Sequence, residues 1–537
     1  MTGAADRAAR LILWLLLGAL AAAGAHYALT KSMHQDVAYY VNAVERWLDG
    51  ARLYRDLIDV NVPTVYWLMA PPVWIAQRLD VPSTIAFNLF VLALAGLSVG
   101  TVWSLARRGL RHPGWLPDAL AGVLLLWFVG LVGHDFGQRE HLATILLAPY
   151  AVARAAAGDD RTRLWARIAI GLCAGVGVAL KPYFVLILLG MEGALLLRRG
   201  RAWRPSAETA ALVLAAGACA LATVLLVPAY LDRVVPLARA TYHGFEWPVA
   251  TVIGWQGPRT FGSFAIALLC LPLAWAMDRR QGDLAAALSG AALGGFASFL
   301  IQSKGWLYQL TPALTYSFAA FAVAAAGLGS RWLAGRGRAA TALLSVGLGI
   351  LLAAILLEFG RLHRSDAALH ARQAPLVETL RDHAQGGPAL FVSLDVDYTF
   401  PGVNYAGAAY PYRWHHLLPL PGLYRDFVPG PGHLFRTPDE MGPIERDFFE
   451  SFVADALAHR PRIVLVDRRR PVRPGLSPEL DLLAYFCQSP RFAELMGGFD
   501  WLGRRGTYDV LVPRAGAPAS PGPCGARRPQ IEGQPSS

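Results

Sequence analysis

The sequence predicts a polytopic α-helical membrane protein of about eleven transmembrane helices with a small α/β domain at its C-terminal end, on the extracytoplasmic side. Three observations predict it. Hydrophobic residues make up 55% of the 537 residues and charged residues 16%, a balance too apolar for a chain of this size to fold in water alone. Apolar runs of spanning length recur from residue 11 to residue 359, with arginine-rich connections on every second side. From about Ser365 prolines and charges rise, and no later run is long enough to span.

Residues 11–29 form the first apolar run, preceded by Arg7 and Arg10. The alanines at 21–23 and 25 offer a signal-peptide cleavage site, but the many later runs favour an uncleaved helix with a cytoplasmic N-terminus. Residues 62–79 are apolar yet broken by Pro63, Pro71 and Pro72, which suits a re-entrant or interfacial helix. Further spans fit at 84–106, 117–133, 141–157, 166–181, 183–198, 207–230, 260–277, 284–301, 307–328 and 339–359. The connections 107–112, 154–167, 198–204, 278–283 and 330–338 are rich in arginine and fall on the cytoplasmic side. The net charge of +11 is therefore a sign of membrane orientation, and no nucleic-acid partner is expected.

The organisation expected is a transmembrane domain over 1–360 with a first extracytoplasmic loop at 31–62, an α/β domain over 361–514 and a disordered tail over 515–537. Strand-like runs lie at 389–394 and 463–466, with helical patterns around 372–384, 446–459 and 478–486. Cys487 and Cys524 are the two cysteines outside apolar runs and are able to pair in an oxidising compartment. No metal-ligand spacing of Cys and His occurs, and Walker A, H-E-x-x-H, dinucleotide and nucleophile-elbow motifs are absent, so no cofactor is expected.

The first loop carries the densest chemistry. Val37, Tyr40, Val41, Val44, Trp47 and Leu48 recur at helical spacing, describing an amphipathic helix lying in the membrane interface. Asp36 sits at its N-terminus, where an aspartate caps a helix or stands as a carboxylate at the mouth of a cavity. Asp36, Tyr39, Tyr40, Ala43, Gly50, Leu53, Tyr54, Arg55, Asp56, Asp59 and Pro63 form a pattern that resembles the first extracytoplasmic loop of the GT-C glycosyltransferases. Among these it is most similar to the protein O-mannosyltransferase and lipid A aminoarabinose transferase families of bacteria.

Three later stretches add to that resemblance. Residues 133–141 hold His134, Asp135, Arg139, Glu140 and His141 between two apolar runs on the side of Asp36; they read either as a capped helix start or as a polar cluster facing a cavity. Lys181, Pro182 and Tyr183 form a tight corner, where a lysine snorkels to the interface or meets a ligand. Residues 302–312 resemble the late GT-C loop that approaches the lipid-linked donor, with Lys304 and Tyr308, and with Gln309 where a histidine is common. Trp255, Arg259, Trp306 and Tyr308 suit sugar stacking or the aromatic belt of a membrane protein.

The resemblance implies an inverting membrane glycosyltransferase of the bacterial inner membrane that takes a sugar from a polyprenyl-phosphate donor and gives it to a glycan, lipid or protein acceptor. Asp36 is the expected base, with Asp59 and Glu140 orienting it, binding acceptor hydroxyls or holding a divalent cation. Arg139, Lys181 and Lys304, reinforced by Arg55, are expected on the phosphate, with Asp135, His141, Tyr183 and Tyr308 also in contact with substrate. The rival reading is a polytopic transporter or flippase, which concentrates its charges at the bilayer midplane in repeated halves. Here the charges gather at one face and no repeat is evident.

Overall fold

The computed structural model describes residues 3–110, 115–156, 162–255, 257–333, 338–430, 432–471, 476–515 and 522–525. The principal helices are α1 (Gly3–Thr30), α2 (Gln35–Leu48), α3 (Pro63–Leu79), α4 (Ser83–Gly109), α5 (Leu116–Leu125), α6 (Arg139–Ala155), α7 (Leu164–Ala179), α8 (Val185–Arg199) and α9 (Ala207–Leu226). They continue as α10 (Val235–Thr241), α11 (Val249–Trp255), α12 (Gly257–Leu273), α13 (Arg279–Gln302), α14 (Thr311–Leu333) and α15 (Arg338–Ala384). Among the described residues, six helical segments are long and apolar enough to cross a membrane: Arg10–Thr30, Ser83–Gly109, Ala207–Leu226, Gly257–Ala276, Arg279–Gln302 and Leu307–Leu328. The helices between Leu116 and Arg199 are shorter, and α15 runs well beyond the expected end at residue 359.

The chain divides into two compact units, one of residues 1–31, 79–223 and 247–367, the other of residues 32–78, 224–246 and 368–537. In the first, α13 is the central helix, packing on α8 and α14. Small residues make this possible: a Cβ added to Gly190 of α8 would stand 2.1 Å from the Gly290 carbonyl oxygen of α13. Backbones that close bring many weak contacts together where lipid offers no hydrophobic drive between helices.

The second unit gathers the first loop with the C-terminal residues. Its sheet has the order β1 (Ala389–Val392), β2 (Ile463–Asp467), β4 (Tyr508–Pro513), β3 (Phe499–Arg505), with β1 and β2 parallel and the rest antiparallel. The strands expected at 389–394 and 463–466 are β1 and β2; the β3–β4 hairpin is an addition that the sequence reading lacked. A helix at Pro443–His459 connects the parallel pair, as such a crossover requires. It packs through Phe448, Phe449 and Phe452 against Phe486, beside the disulfide between Cys487 and Cys524. The tail expected to be disordered holds a described turn at Pro523–Gly525; residues 516–521 and 526–537 lie outside the described residues.

Candidate active site

In the second unit, α2 buries Val37, Ala38, Tyr39, Tyr40, Val41, Ala43 and Val44, the face that its apolar spacing anticipates. Its N-cap is His34, whose Nδ1 accepts a hydrogen bond from the Asp36 backbone N–H at 3.1 Å. The capping reading of Asp36 is thereby corrected: the neighbouring imidazole supplies the cap, and the Asp36 carboxylate lies in the first helical turn.

Helix α2 and the loop after it are tied to residues 404–414. Arg46 donates to the carbonyls of Pro411 and Tyr412 at 2.8 Å each, Asn404 to that of Ala38 at 3.1 Å, and the Ile58 N–H to that of Arg413 at 2.9 Å. Asp59 is buried and held on all sides. It accepts from the Tyr66 hydroxyl at 2.5 Å, from Asn61 Nδ2 at 2.7 Å and from the Val60 N–H at 2.7 Å. Tyr54 and Tyr230 complete an aromatic enclosure around this carboxylate. The arrangement immobilises the Asp59 carboxylate. Arg55, by contrast, is exposed, in a turn whose Asp56 is already bridged by Arg52 at 2.9 Å.

Three residues outside the expected set sit in the same neighbourhood. Asp397, in the loop after β1, is pushed up to about 7 by burial and by the carboxylates of Asp395, Asp36 and Asp467, against the pull of Arg469. His415 stacks on Tyr39 with ring centroids 4.0 Å apart, and His416 meets His415 edge-on at 4.3 Å. Burial pushes the His415 imidazole down, opposed by the charges of Asp59 and Asp36. The sequence signal was the pair of histidines in a tryptophan-flanked stretch of an otherwise ordinary loop region.

In the first unit, the run 133–141 folds as a short turn of 3-10 helix at Gly133–Asp135 followed by the start of α6. Arg139, Glu140 and His141 are all buried there. Lys181 donates to Glu140 Oε1 at 2.8 Å and lies 5.9 Å from the centroid of the Tyr308 ring, so three of the expected residues converge. Glu140 Oε2 is buried with no hydrogen-bond partner among the described residues. Lys304 is buried, 5.7 Å from the Trp306 ring, on a turn in which Ser303 and Gly305 take positive φ of 51° and 71°. A side chain at Gly305 would collide with Trp255 at 2.8 Å.

Both ring nitrogens of His141 are engaged: its Nδ1 accepts from the Gly137 N–H at 3.0 Å and its Nε2 meets the Phe128 carbonyl at 3.0 Å. Tyr183 lies exposed in the Pro182–Phe184 turn. Asp135 stands instead in an electrostatic cluster with Lys31, Asp366 and Tyr27. Among the described residues no three His, Cys, Asp or Glu side chains are placed to hold a metal ion.

No family model matches the sequence, and no curated protein matches it. Solved structures do. ArnT from Cupriavidus metallidurans bound to undecaprenyl phosphate aligns with a TM-score of 0.54 over 93% of this chain and 98% of its own, at 12% identity. Its apo state aligns with a TM-score of 0.53 over 94% and 98%, at 14% identity. The chain has a GT-C fold. At this identity the likeness speaks to the fold alone.

Proposed function

We propose that the protein is a membrane glycosyltransferase that moves a sugar from a polyprenyl-phosphate donor to an acceptor on the extracytoplasmic face. The observation that carries this reading is the GT-C fold shared with ArnT over 93% of the chain. The donor class is carried over from the undecaprenyl phosphate that ArnT holds. The topology that accompanies it has eleven spans, a cytoplasmic N-terminus and residues beyond 360 outside; alkaline phosphatase fused after Arg381 is then active in a Gram-negative host.

In this reading Asp36 takes the proton of the acceptor hydroxyl as the acceptor oxygen attacks the anomeric carbon and the bond to phosphate breaks with its electron pair on the phosphate. Attack from the opposite face inverts the anomeric centre. Asp59, immobilised by Tyr66 and Asn61, orients the loop that carries the base. Lys181, Lys304 and Arg139 are the cations for the phosphate, where fixed positive charge offsets the charge that develops on the leaving group. Glu140 sets the position of the Lys181 ammonium through their 2.8 Å contact.

The test is transfer of radiolabelled sugar from polyprenyl-phosphate donors by the purified protein in proteoliposomes, with donor consumption followed by mass spectrometry. Sugar transfer that is lost in Asp36→Asn supports the reading. Transport of intact donor across the bilayer with no cleavage of the sugar–phosphate bond overturns it in favour of a flippase.

A further inference from the structure

The ion pair at the start of α6 is incomplete. Lys181 donates to Glu140 Oε1 at 2.8 Å, and the two side chains are 9% and 1% exposed. Glu140 Oε2 is buried beside that bond with no hydrogen-bond partner among the described residues. A buried charged acceptor without a donor is more costly than a neutral one, so this oxygen calls for a donor from outside the chain.

The other segment that meets Lys181 is short of donors as well. Tyr308 sets its ring centroid 5.9 Å from the ammonium, and the next residue, Gln309, ends a relay whose direction is fixed. The Ser298 carbonyl can only accept, so Gln302 turns its Nε2 to it at 2.7 Å. Gln302 Oε1 then receives Gln309 Nε2 at 3.0 Å, and the relay ends on Gln309 Oε1, a buried acceptor with no donor among the described residues. A ligand that suits such surroundings brings an anion for the ammonium and a hydrogen-bond donor close beside it.

We propose that Lys181 and Glu140 form one subsite for a phosphodiester with a hydroxyl on the carbon next to its ester carbon, the phosphate meeting Lys181 and the hydroxyl donating to Glu140 Oε2. The inference deepens the glycosyl-transfer reading and rests on it for the natural ligand: in a sugar held by phosphate at its anomeric carbon, that hydroxyl is the neighbour of the bond that breaks. An ammonium has three N–H donors, so its bond to Glu140 does not exclude one to phosphate. The phosphate oxygens and a hydroxyl on the adjacent carbon lie about a hydrogen-bond length apart, as do the ammonium and the carboxylate. Glu140 also gives the pair a selectivity that a lysine alone lacks. A bare polyprenyl phosphate, the product of transfer, brings no such hydroxyl and carries more negative charge, which the carboxylate repels.

Undecaprenyl phosphate and its 2-hydroxyethyl and 2-fluoroethyl esters read this subsite without knowledge of the sugar. The two esters share lipid and charge, and the fluorine cannot donate. The parent in nanodiscs is expected to bind the hydroxyethyl ester about tenfold more tightly than the fluoroethyl ester, the effect of one hydrogen bond to a charged acceptor. In Glu140→Gln an amide NH2 takes the place of Oε2, so the preference should fall to about twofold or less, and bare undecaprenyl phosphate should gain affinity relative to the hydroxyethyl ester. A carboxylate that merely held Lys181 in place would change all three affinities alike. Equal affinity of the parent for the two esters overturns the proposal whether or not the variant folds. A preference that persists unchanged in folded Glu140→Gln overturns it too.

The transfer assay separates this inference from the reading beneath it. A parent that moves sugar but shows no ester preference keeps the glycosyl-transfer reading and loses the subsite. A parent whose ester preference is lost in Glu140→Gln, but which cleaves no polyprenyl-phosphate sugar, keeps the subsite and loses the transfer reading.

Discussion

Helix α6 carries a buried ion pair at each end, and the two are built differently. At its C-terminal end Arg154 meets Glu192 through Nε at 2.6 Å and a second guanidinium nitrogen at 2.8 Å, while Tyr150 and Trp203 donate to the same carboxylate at 2.7 and 2.9 Å. Arg199 then ties the Arg154 carbonyl to Asp283, which also receives Arg198. About 21 Å away along the helix axis, Glu140 has one oxygen on Lys181 and one buried oxygen with no partner among the described residues. A carboxylate with four donors has no valence left and serves the fold. A buried carboxylate with an open oxygen is costly to the fold, which is the mark of a group kept for chemistry.

The strongest way to break this comparison is Glu192→Gln. Whichever way the amide turns, its NH2 faces an Arg154 N–H, and the buried guanidinium loses its counter-charge. The expected cost is about 3–5 kcal/mol, seen as a large drop of the thermal midpoint in detergent, with turnover per folded molecule unchanged. A stable variant with lost turnover would reverse the assignment of the two ends.

Asp36→Asn asks whether the first loop belongs with the closed end or the open one. The cap is supplied by His34, so stability should be unaltered. Transfer should fall by about 100-fold or more, because an amide takes no proton. Near-parental turnover would move the base to Asp59, Asp135 or Glu140. Lys304→Ala removes a buried ammonium from its place beside Trp306. Apparent donor affinity should weaken by roughly 1.5–3 kcal/mol with acceptor use unchanged, and an unaltered donor affinity in a folded variant removes Lys304 from the phosphate.

Legibility from sequence followed the range of the interactions. Helix α2 could be read because its pattern repeats every turn, and Cys487–Cys524 because few cysteines were eligible. Glu140 and Lys181 could each be nominated, but their pairing depends on a separation of 41 residues that no local pattern encodes. His415 is further still from Tyr39 in the chain, and the stacking of the two rings is a fact about packing. The cluster at Glu192 had a visible sign, one acid inside an apolar run, whose partners on α6 and at Trp203 were not deducible. The β3–β4 hairpin was missed because Gly503 sits at a register shift that breaks its alternation.

Glu140→Gln is the smallest expected effect and the one that sharpens the comparison most, because it makes at the open end the same chemical change as Glu192→Gln at the closed one. The amide oxygen can stay on Lys181, and the NH2 then occupies the place of Oε2, where no donor among the described residues opposes it. Both Gln variants take the counter-charge from a buried cation, but Glu192→Gln alone sets a donor against a donor, so Glu140→Gln should cost less stability than the several kcal/mol expected at the other end. Turnover should fall about tenfold, since the Lys181 ammonium loses the charge that fixes its position for the phosphate. Thermal midpoints of the two Gln variants, read beside their transfer rates, give a double contrast: one variant the less stable and active per folded molecule, the other the more stable and slow. If both are equally destabilised, the open oxygen of Glu140 is satisfied in the working protein, and the distinction between the two ends of α6 falls.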